Sequence, residues 1–367
     1  MSRHLLWDRS RAVADWKCPR SRYWNYDYNG TGVVQGSAAL ELYTGSCIHD
    51  GLAGIAHGLD IDAIATTAQK QMFQGITDNS TAVDEEDVFN FAMEQSSLVE
   101  GLLRGFYKHA WPILIAQYPN ILAIERELTY KHDGFTFMSK PDLILGDDDG
   151  NAFYIEYKST SSKKEEWINS WTTAVQLHST CRAIKETLDI DISAVIVQGL
   201  YKGWQSYGKQ SSPFCYSYQR SGNPPFTQHE TRYDYAAGFK RKPVWEQAGG
   251  VKSWVDSMPE TILADQFPQT PPIFINDSLV DAFFKQRASR EAEIAAALTV
   301  IDASDDPTTA QSALDAHFPQ RFDQCCPGWG KPCPYRVLCF GKITDPIDAG
   351  FIVRTPHHTP EAELTNS

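Results

Sequence analysis

The strongest constraint on the fold is a change of hydrophobic pattern near residue 120. Before it, residues 36–58 and 60–118 place apolar side chains at helical spacing. After it, the segments ILAIERELTY, FTFMSKPDLIL and AFYIEYKS alternate between apolar and polar side chains, and the turn formers DG and GDDDGN separate them. We therefore expect three consecutive strands in an antiparallel meander, preceded by a helical region, in an α/β protein.

A helix and a further strand follow the predicted meander. Residues 165–188 again place apolar side chains at helical spacing, and DISAVIVQGLYKG predicts a strand. A helical connection allows this last strand to lie parallel to one of the earlier strands. The predicted core therefore runs helix, three strands, helix, strand within residues 36–202, with residues 60–118 as a helical insertion.

The other segments are assigned from composition and order. Residues 1–35 form an N-terminal segment, and residues 203–320 form an insertion and a helical region of unknown role. Residues 321–345 are rich in cysteine. Residues 356–367 are polar enough to predict a disordered tail.

Charge and composition exclude some classes of protein. The net charge is −13, and 42% of the residues are hydrophobic, which is the balance of an ordinary globular protein. No apolar run is long enough to span a bilayer, and no signal-type segment follows Met1, so we expect a soluble cytoplasmic protein. The negative charge argues against a general polycation but leaves room for a local basic groove that binds nucleic acid.

Three charged residues stand at the edges of the apolar strands. Glu156 and Lys158 are two residues apart, so their side chains project from the same face of one strand. Asp142 begins the preceding strand, and the intervening turn brings all three side chains together. Facing carboxylates repel unless a divalent cation lies between them. The lysine can then orient or deprotonate a water, or stabilise charge on a phosphate.

The alternative interpretation is a surface hairpin whose charges are solvated. It suits Asp147, Asp148 and Asp149, which we predict to be turn residues. They do not match a calcium-binding EF-hand loop, because the sixth position from Asp147 is Ala152 rather than glycine and the twelfth is Lys158 rather than glutamate.

The sequence Pro141-Asp142, followed after 13 residues by Glu156-Tyr157-Lys158, resembles the PD-(D/E)xK nuclease superfamily. The resemblance implies a restriction-endonuclease-like core with the element order predicted above. It also implies that Asp142 and Glu156 hold Mg²⁺ or Mn²⁺, with help from the Tyr157 carbonyl. Lys158 would position the attacking water.

Two further positions resemble the RecB-type branch of this superfamily. His49, in TGSCIHDGL, resembles a helical histidine that is an additional metal ligand, and a core histidine is the alternative. Gln176 resembles a glutamine that orients the lysine or the bound strand, although the tyrosine four residues later is replaced here by Thr180. An ordinary polar helix residue is the alternative. The acidic residue of the first strand would be Glu127, with Glu125 as the second choice.

The cysteines extend this resemblance. Four of the eight lie in the last fifth of the chain, which favours a metal or cluster site over disulfides. Cys18 before the core, with Cys326, Cys333 and Cys339 after it, resembles the iron–sulfur RecB-type nucleases, including the AddB subunit and the CRISPR-associated exonucleases. The resemblance implies a structural 4Fe-4S cluster.

The ligand set leaves alternatives open. Those nucleases usually begin the trio with CxxC, whereas position 330 is Gly330, so Cys325 is an alternative to Cys326. Four thiolates can equally hold zinc, and unliganded thiols are the remaining possibility. We interpret the other three, Cys47, Cys181 and Cys215, as small apolar residues.

The resemblance implies a metal-dependent DNA nuclease, acting as an exonuclease on single-stranded ends and leaving 5′-phosphates. A structure-specific or nicking endonuclease is one alternative, and a catalytically silent nucleic-acid-binding module is another. The intact Asp142, Glu156 and Lys158 argue against the silent module. The residues predicted to grip DNA are basic or aromatic: Arg20, Arg22, Tyr23, Trp24, Lys202 and Trp204.

Overall fold

A computed structural model confirms a mixed α/β protein with a helical N-terminal region and several small sheets. No helix of the described residues is long and apolar enough to cross a membrane. The structure describes residues 6–35, 40–78, 85–160, 164–171, 174–202, 205–206, 209–210, 216–220, 229–230, 239–243, 249–322, 333–341, 345–356, 358–359 and 361.

The N-terminal segment is a strand followed by short helical turns. It contains β1 (Leu6–Asp8), α1 (Arg9–Lys17), α2 (Pro19–Arg22) and β2 (Val33–Gln35). Asp8 caps α1 because its carboxylate accepts a hydrogen bond from the Arg11 amide at 2.8 Å.

The predicted helical region is confirmed. It comprises α3 (Leu40–Ala56), α4 (Ile61–Asp78), α5 (Glu85–Gly105) and α6 (Trp111–Gln117), with a π-helical turn, Phe106–Ala110, before α6. The apolar faces of these helices pack together and against the sheet that follows.

From residue 120 the chain forms five strands, so the predicted count of three is wrong. They are β3 (Asn120–Ile124), β4 (Leu128–His132), β5 (Phe135–Ser139), β6 (Leu143–Gly146) and β7 (Ala152–Thr160). Two backbone features divide the first two predicted strands. Glu125 adopts a left-handed φ of 48° after β3, and Pro141, which lacks an amide donor, separates β5 from β6.

The chain then returns through two helices rather than the single predicted one. These are α7 (Lys164–Asn169) and α8 (Val175–Leu188), and they lead into β8 (Ile192–Tyr201). The central sheet has the order β3-β6-β7-β8. Its first two pairings are antiparallel and β7 pairs with β8 in parallel, which confirms the predicted orientation of the last strand.

Strands β4 and β5 leave the central sheet and form a second one with β1, in the order β1-β5-β4. Asp133 and Gly134, both with positive φ (47° and 82°), form the predicted tight turn between β4 and β5. The antiparallel meander is therefore interrupted by a hairpin between its first and second strands.

The described parts of residues 205–243 contain short paired strands, whereas later residues are mainly helical. The strands are β9 (Gln205–Ser206), β10 (Lys209–Gln210), β11 (Tyr216–Arg220), β12 (His229–Glu230) and β13 (Phe239–Pro243). The later elements are α9 (Val251–Ser257), α10 (Glu260–Gln266), α11 (Asp277–Ala303), α12 (Pro307–His317), α13 (Arg336–Phe340) and β14 (Phe351–Val353).

The two ends of the chain meet. Strand β14 lies antiparallel to β2, and the Glu361 carboxylate accepts hydrogen bonds from both Arg11 and Arg354. Glu361 is buried, and His358 contacts Glu127 on the segment between β3 and β4. The predicted disorder from residue 356 is therefore not met at residues 358, 359 and 361, while residues 357, 360 and 362–367 lie outside the described part.

The central sheet separates two apolar cores. Ile155 and Tyr157 of β7 face the helical core of α3 to α6, whereas Tyr154 faces the core built with α8 and α11. This alternation follows from the two-residue period of a strand. Each fully buried aliphatic or aromatic side chain contributes about 1.5–3 kcal/mol, so the sheet is held firmly from both sides.

Candidate active site

Strand β7 presents Glu156 and Lys158 on one face, as predicted. Both residues follow Tyr154 at two-residue spacing, and the Lys158 ammonium forms an ion pair with a Glu156 carboxylate oxygen. The Glu156 residue is 2% exposed, while 27% of the Lys158 side chain remains accessible. The pair therefore lies at the margin of a core, open to solvent on the lysine side.

Asp142 connects β7 to helix α3. Its Oδ2 accepts a hydrogen bond from the Tyr157 backbone N–H at 2.7 Å, and its Oδ1 lies 3.0 Å from Nδ1 of His49. Only 8% of Asp142 is exposed. The contact found at Tyr157 involves its amide, and a metal-ligating role for its carbonyl stays a prediction.

The two buried carboxyl groups differ in their proton affinity. Burial raises the pKa of Asp142, but the charges of His49 and Lys158 and the Tyr157 amide outweigh it, so the net shift is downward. Burial also raises the pKa of Glu156; Lys158 opposes this and the Asp142 charge adds to it, so the net shift is upward. The charges of Asp142, Glu156 and Lys158 therefore act on one another.

His49 and Glu125 complete a potential metal site with Asp142. One ligand atom from each residue lies within 4.8 Å of the others. The His49 Nδ1 is 3.9 Å from Glu125 Oε1, and Glu125 Oε2 pairs with Lys140 at 2.5 Å. An imidazole with two carboxylates suits a divalent cation such as Mn²⁺ or Mg²⁺.

The His49 ring carries a proton in the absence of a cation. Burial alone would lower the pKa of His49, but the Asp142 carboxylate, with a smaller contribution from Glu125, raises it to about 10. A bound cation would take the place of this proton, because only a neutral imidazole ligates metal.

Glu125, the second choice in the sequence, is the acidic residue at the site, and the preference for Glu127 is wrong. Glu127 accepts a hydrogen bond from the Thr359 amide at 2.8 Å and lies 3.0 Å from His358 Nδ1. The left-handed backbone at Glu125 turns the chain out of β3, and the Glu125 amide donates to the Asp142 carbonyl at 2.9 Å. Strand alternation alone gives no signal for this turn.

Gln176 holds Glu156 from the side of α8. Its Nε2 donates to Glu156 Oε1 at 2.6 Å, and the Tyr154 hydroxyl donates to Oε2. Sequence reasoning missed Tyr154, although its two-residue offset from Glu156 on the same strand was the available signal. Thr180, at the position of the expected tyrosine, instead contacts the Ser139 hydroxyl at 2.9 Å.

The N-terminal residues predicted to grip DNA are buried, so that prediction is wrong. The Arg22 guanidinium donates to both carboxylate oxygens of Glu291 at 2.6 Å. The Arg20 side chain pairs with Asp315 and donates to the Phe318 carbonyl. The four buried residues are Arg20, Arg22, Tyr23 and Trp24, each at most 9% exposed.

The contacts in the structure do not test the other two predicted DNA-binding residues, Lys202 and Trp204. Lys202 is half-buried, and its amide donates to the Thr160 carbonyl at 2.7 Å. A nucleic-acid role for its side chain stays a prediction. Trp204 lies outside the described residues.

Three of the predicted cluster cysteines lie near one another. Burial raises the pKa of Cys339 to about 11, the neighbouring Cys333 and Cys18 thiols add to that rise, and Trp24 and Arg20 oppose it. Among the described residues, these sulfurs do not gather within 4.8 Å as the ligand atoms of the His49 group do. Cys325 and Cys326 lie outside the described residues. The described cysteines form no such group, and the 4Fe-4S cluster stays a prediction.

Cys47 and Cys181 are buried among apolar side chains, as expected for small apolar residues, and Cys215 lies outside the described part.

Comparison of the chain with known protein families finds no match, and comparison with curated proteins finds no similar sequence. The site itself is therefore the basis for any functional argument.

Proposed function

We propose that the chain is a metal-dependent DNA nuclease with a restriction-endonuclease-like core. One observation supports this proposal: Asp142, held by His49, acts electrostatically on both members of the Glu156–Lys158 ion pair. Gln176 holds Glu156 from the side of α8. The β3-β6-β7 antiparallel order and the parallel β8 support the assignment of the core.

The metal ligands would be His49, Glu125 and Asp142. The Glu156 carboxylate, predicted to share the ion, lies outside this group of ligand atoms within 4.8 Å of one another. When bound, Mg²⁺ or Mn²⁺ would polarise the phosphoryl group and acidify a water molecule. Asp142 keeps a negative charge for the cation at neutral pH, because its pKa lies below the ordinary value.

Lys158 acts as a cation rather than as a base. Burial lowers its pKa, but the charges of Glu156 and Asp142 outweigh burial and raise it. A lysine that stays protonated can orient the attacking water and stabilise negative charge that develops on the phosphate. Gln176 and Tyr154 fix the Glu156 carboxylate, which in turn fixes the Lys158 ammonium.

For the cysteines we propose a structural 4Fe-4S cluster held by Cys18, Cys326, Cys333 and Cys339. The proximity of Cys18 and Cys333 to Cys339 supports this set, which joins the two ends of the chain. Iron and sulfide analysis of anaerobically purified protein, with its visible absorption spectrum, tests it. Stoichiometric zinc without iron would replace the cluster by a zinc site.

The nuclease proposal is tested with the Lys158→Ala variant. Wild-type protein and variant are incubated with end-labelled single- and double-stranded DNA and Mg²⁺ or Mn²⁺. We expect wild-type cleavage, with loss of about 100- to 1000-fold in Lys158→Ala, because a preorganised charge at the reacting phosphate is removed. The control is Lys131→Ala, which removes an exposed lysine from β4 and should cleave normally.

Closed circular single-stranded DNA separates the exonuclease from the endonuclease. We expect linear strands to be degraded and circles to remain intact. Cleavage of circles would establish the endonuclease alternative. DNA binding without any cleavage by the wild type would favour the silent binding module, and equal cleavage by wild type and Lys158→Ala would overturn the mechanism.

A further inference from the structure

A small polar cavity adjoins Glu156 and has no part in the chemistry above. Its volume is about 160 Å³, which is the space of roughly five water molecules at ~30 Å³ each. Its wall includes Tyr154 and Gln176, the two side chains that hold Glu156. The other polar residues of its wall are Asp8, Arg9, Ser10, Ser139, Lys140, Thr180 and His358.

Arg9 supplies positive charge to this cavity. Arg9 lines the cavity together with Tyr154 and Gln176, which hold Glu156. Burial lowers the pKa of Arg9 and outweighs the opposing charges of Glu156, Tyr154 and Asp8. The structure gives Arg9 no ion pair with a described residue. The nearest candidate, Asp8, is already paired with Arg11 at 2.9 Å. A half-buried guanidinium that forms no ion pair with a described residue favours an anionic ligand.

The rest of the lining can bind the oxygens of such a ligand. The Ser139 and Thr180 hydroxyls lie 2.9 Å apart and can redirect their protons towards a bound anion. Lys140 lines the same cavity and pairs with Glu125, so the cavity and the metal group share a wall. An anion bound here would therefore lie next to the proposed metal.

We propose that this cavity binds the terminal phosphate group of a DNA strand end. The inference rests on the proposed nuclease function and names the substrate end that the same site selects. A phosphate has five heavy atoms, which the space for about five waters accommodates, whereas a nucleoside does not fit. An internal phosphate carries one negative charge and a nucleoside on both sides, whereas a terminal phosphate carries up to about two charges and a nucleoside on one side only. A small, half-open cavity lined by Arg9 and Lys140 therefore favours the terminal group.

The test uses four single-stranded DNA molecules of one sequence. They carry an internal fluorophore and differ in having a phosphate or a hydroxyl at the 5′ end and at the 3′ end. We expect the wild type to cleave strands with a phosphate at one of these ends about 10- to 100-fold more efficiently in kcat/KM, because a charge-assisted phosphate contact is gained. The four arms identify which end is bound.

The Arg9→Gln variant should lose that preference while still cleaving hydroxyl-ended strands, and Arg9→Lys should retain part of it. The control Arg182→Gln, which removes a surface ion pair with Asp281, should keep the full preference. Inorganic phosphate gives a readout that needs no variant: it should inhibit cleavage of the preferred phosphorylated strand more than that of the hydroxyl-ended strand.

Equal cleavage of all four strands by the wild type would overturn this inference and leave the nuclease proposal standing. So would a preference that survives in Arg9→Gln, or equal inhibition by inorganic phosphate of both kinds of strand. If the wild type cleaves none of the strands with either metal, the nuclease proposal itself fails and this inference fails with it.

Discussion

The protein buries two clusters of charge that differ in how they are balanced. The N-terminal network joins the first helices to α11 and contains three carboxylates and three guanidinium groups: Asp15, Asp27 and Glu291 with Arg22, Arg287 and Arg290. The active-site cluster contains three carboxylates but two ammonium groups: Glu125, Asp142 and Glu156 with Lys140 and Lys158, beside the titratable His49. The Arg9 guanidinium also acts on Glu156, so the imbalance lies at the metal group. Without a proton on His49, its two carboxylates, Glu125 and Asp142, have one ion-paired ammonium, that of Lys140.

This difference separates a structural cluster from a functional one. In the network, the Arg22 guanidinium forms a bidentate ion pair with the Glu291 carboxylate. These two charges neutralise each other, so the pair requires no bound ion. In the active-site cluster, a proton at His49 balances the charge, and a divalent cation can take its place. Burial of charge alone therefore says little about function, whereas incomplete balance points to a ligand.

The largest effect should follow from Asp142→Asn. This change removes a negative charge that the proposed cation needs, so we expect cleavage to fall by at least about 1000-fold in single-turnover assays with Mn²⁺. Unfolding by urea should change much less than in the network variant below. The control Asp147→Asn alters an exposed turn residue whose carboxylate accepts amide hydrogen bonds, and it should cleave normally. Near-normal cleavage by Asp142→Asn would remove Asp142 from the metal site.

Arg22→Ala should have the opposite profile. It leaves Glu291 and Asp27 with buried, partly unpaired charges, so we expect the free energy of unfolding to fall by about 3–5 kcal/mol. The folded fraction should retain its specific activity. Arg182→Ala, at an exposed pair, should change stability by less than about 1 kcal/mol. A selective loss of DNA binding by folded Arg22→Ala would contradict the structural role.

Gln176→Ala should reduce activity moderately. The variant loses the 2.6 Å hydrogen bond that fixes Glu156 but keeps all the proposed metal ligands, so we expect a loss of about 10- to 100-fold. The control is Gln117→Ala, which removes an exposed glutamine at the end of α6 and should leave the activity unchanged. Unchanged kcat in Gln176→Ala would make this residue an ordinary helix side chain.

The smallest effect concerns stability and has opposite signs at two buried glutamates. Burial raises the pKa of Glu291, but Arg22 and Arg287 lower it overall, so its ionised form stabilises the fold above the unfolded pKa and this stability is lost as pH falls through the folded value. The raised pKa of Glu156 means that ionisation opposes folding at neutral pH. In EDTA at pH 7, Glu291→Gln should destabilise the protein, while Glu156→Gln should stabilise it, because the Lys158 ammonium is partly exposed and stays hydrated without its partner.

Chemical denaturation at several pH values checks this pair. The deficit of Glu291→Gln should shrink as the pH falls from the ordinary glutamate pKa, about 4.3, through the lower folded pKa, where the wild-type carboxyl also becomes protonated. Two variants that shift stability in the same direction at neutral pH would show that the clusters are balanced alike.

Local patterns predicted the parts of the site that lie close together in the sequence. The two-residue period places Glu156 and Lys158 on one face, and the turns at Asp133-Gly134 and Asp147 join adjacent strands as expected. The apolar spacing of residues 36–118 likewise predicted helices. These features depend on interactions over a few residues, which a single sequence expresses directly.

Features set by distant contacts were not accessible in this way. The Arg22–Glu291 pair joins residues 269 positions apart. The sequence alone therefore does not show that the basic residues near the N-terminus are buried partners of distant carboxylates rather than DNA contacts. The left-handed turn at Glu125 and the separate pairing of β4 and β5 with β1 also depend on the assembled fold. For the same reason Arg9, which begins α1 and lies far from Glu156 in the sequence, gave no signal.

The meeting of the chain ends also has a consequence for biosynthesis. Strand β2 lacks its pairing partner until β14 has been translated. The contact between Arg11 and the Glu361 carboxylate likewise joins residues 350 positions apart. Such long loops close slowly. The N-terminal segment is therefore exposed to chaperones and proteases while the ribosome makes the rest of the chain, and a bulky fusion placed directly after Glu361 should lower the yield of native protein more than one placed in an exposed loop.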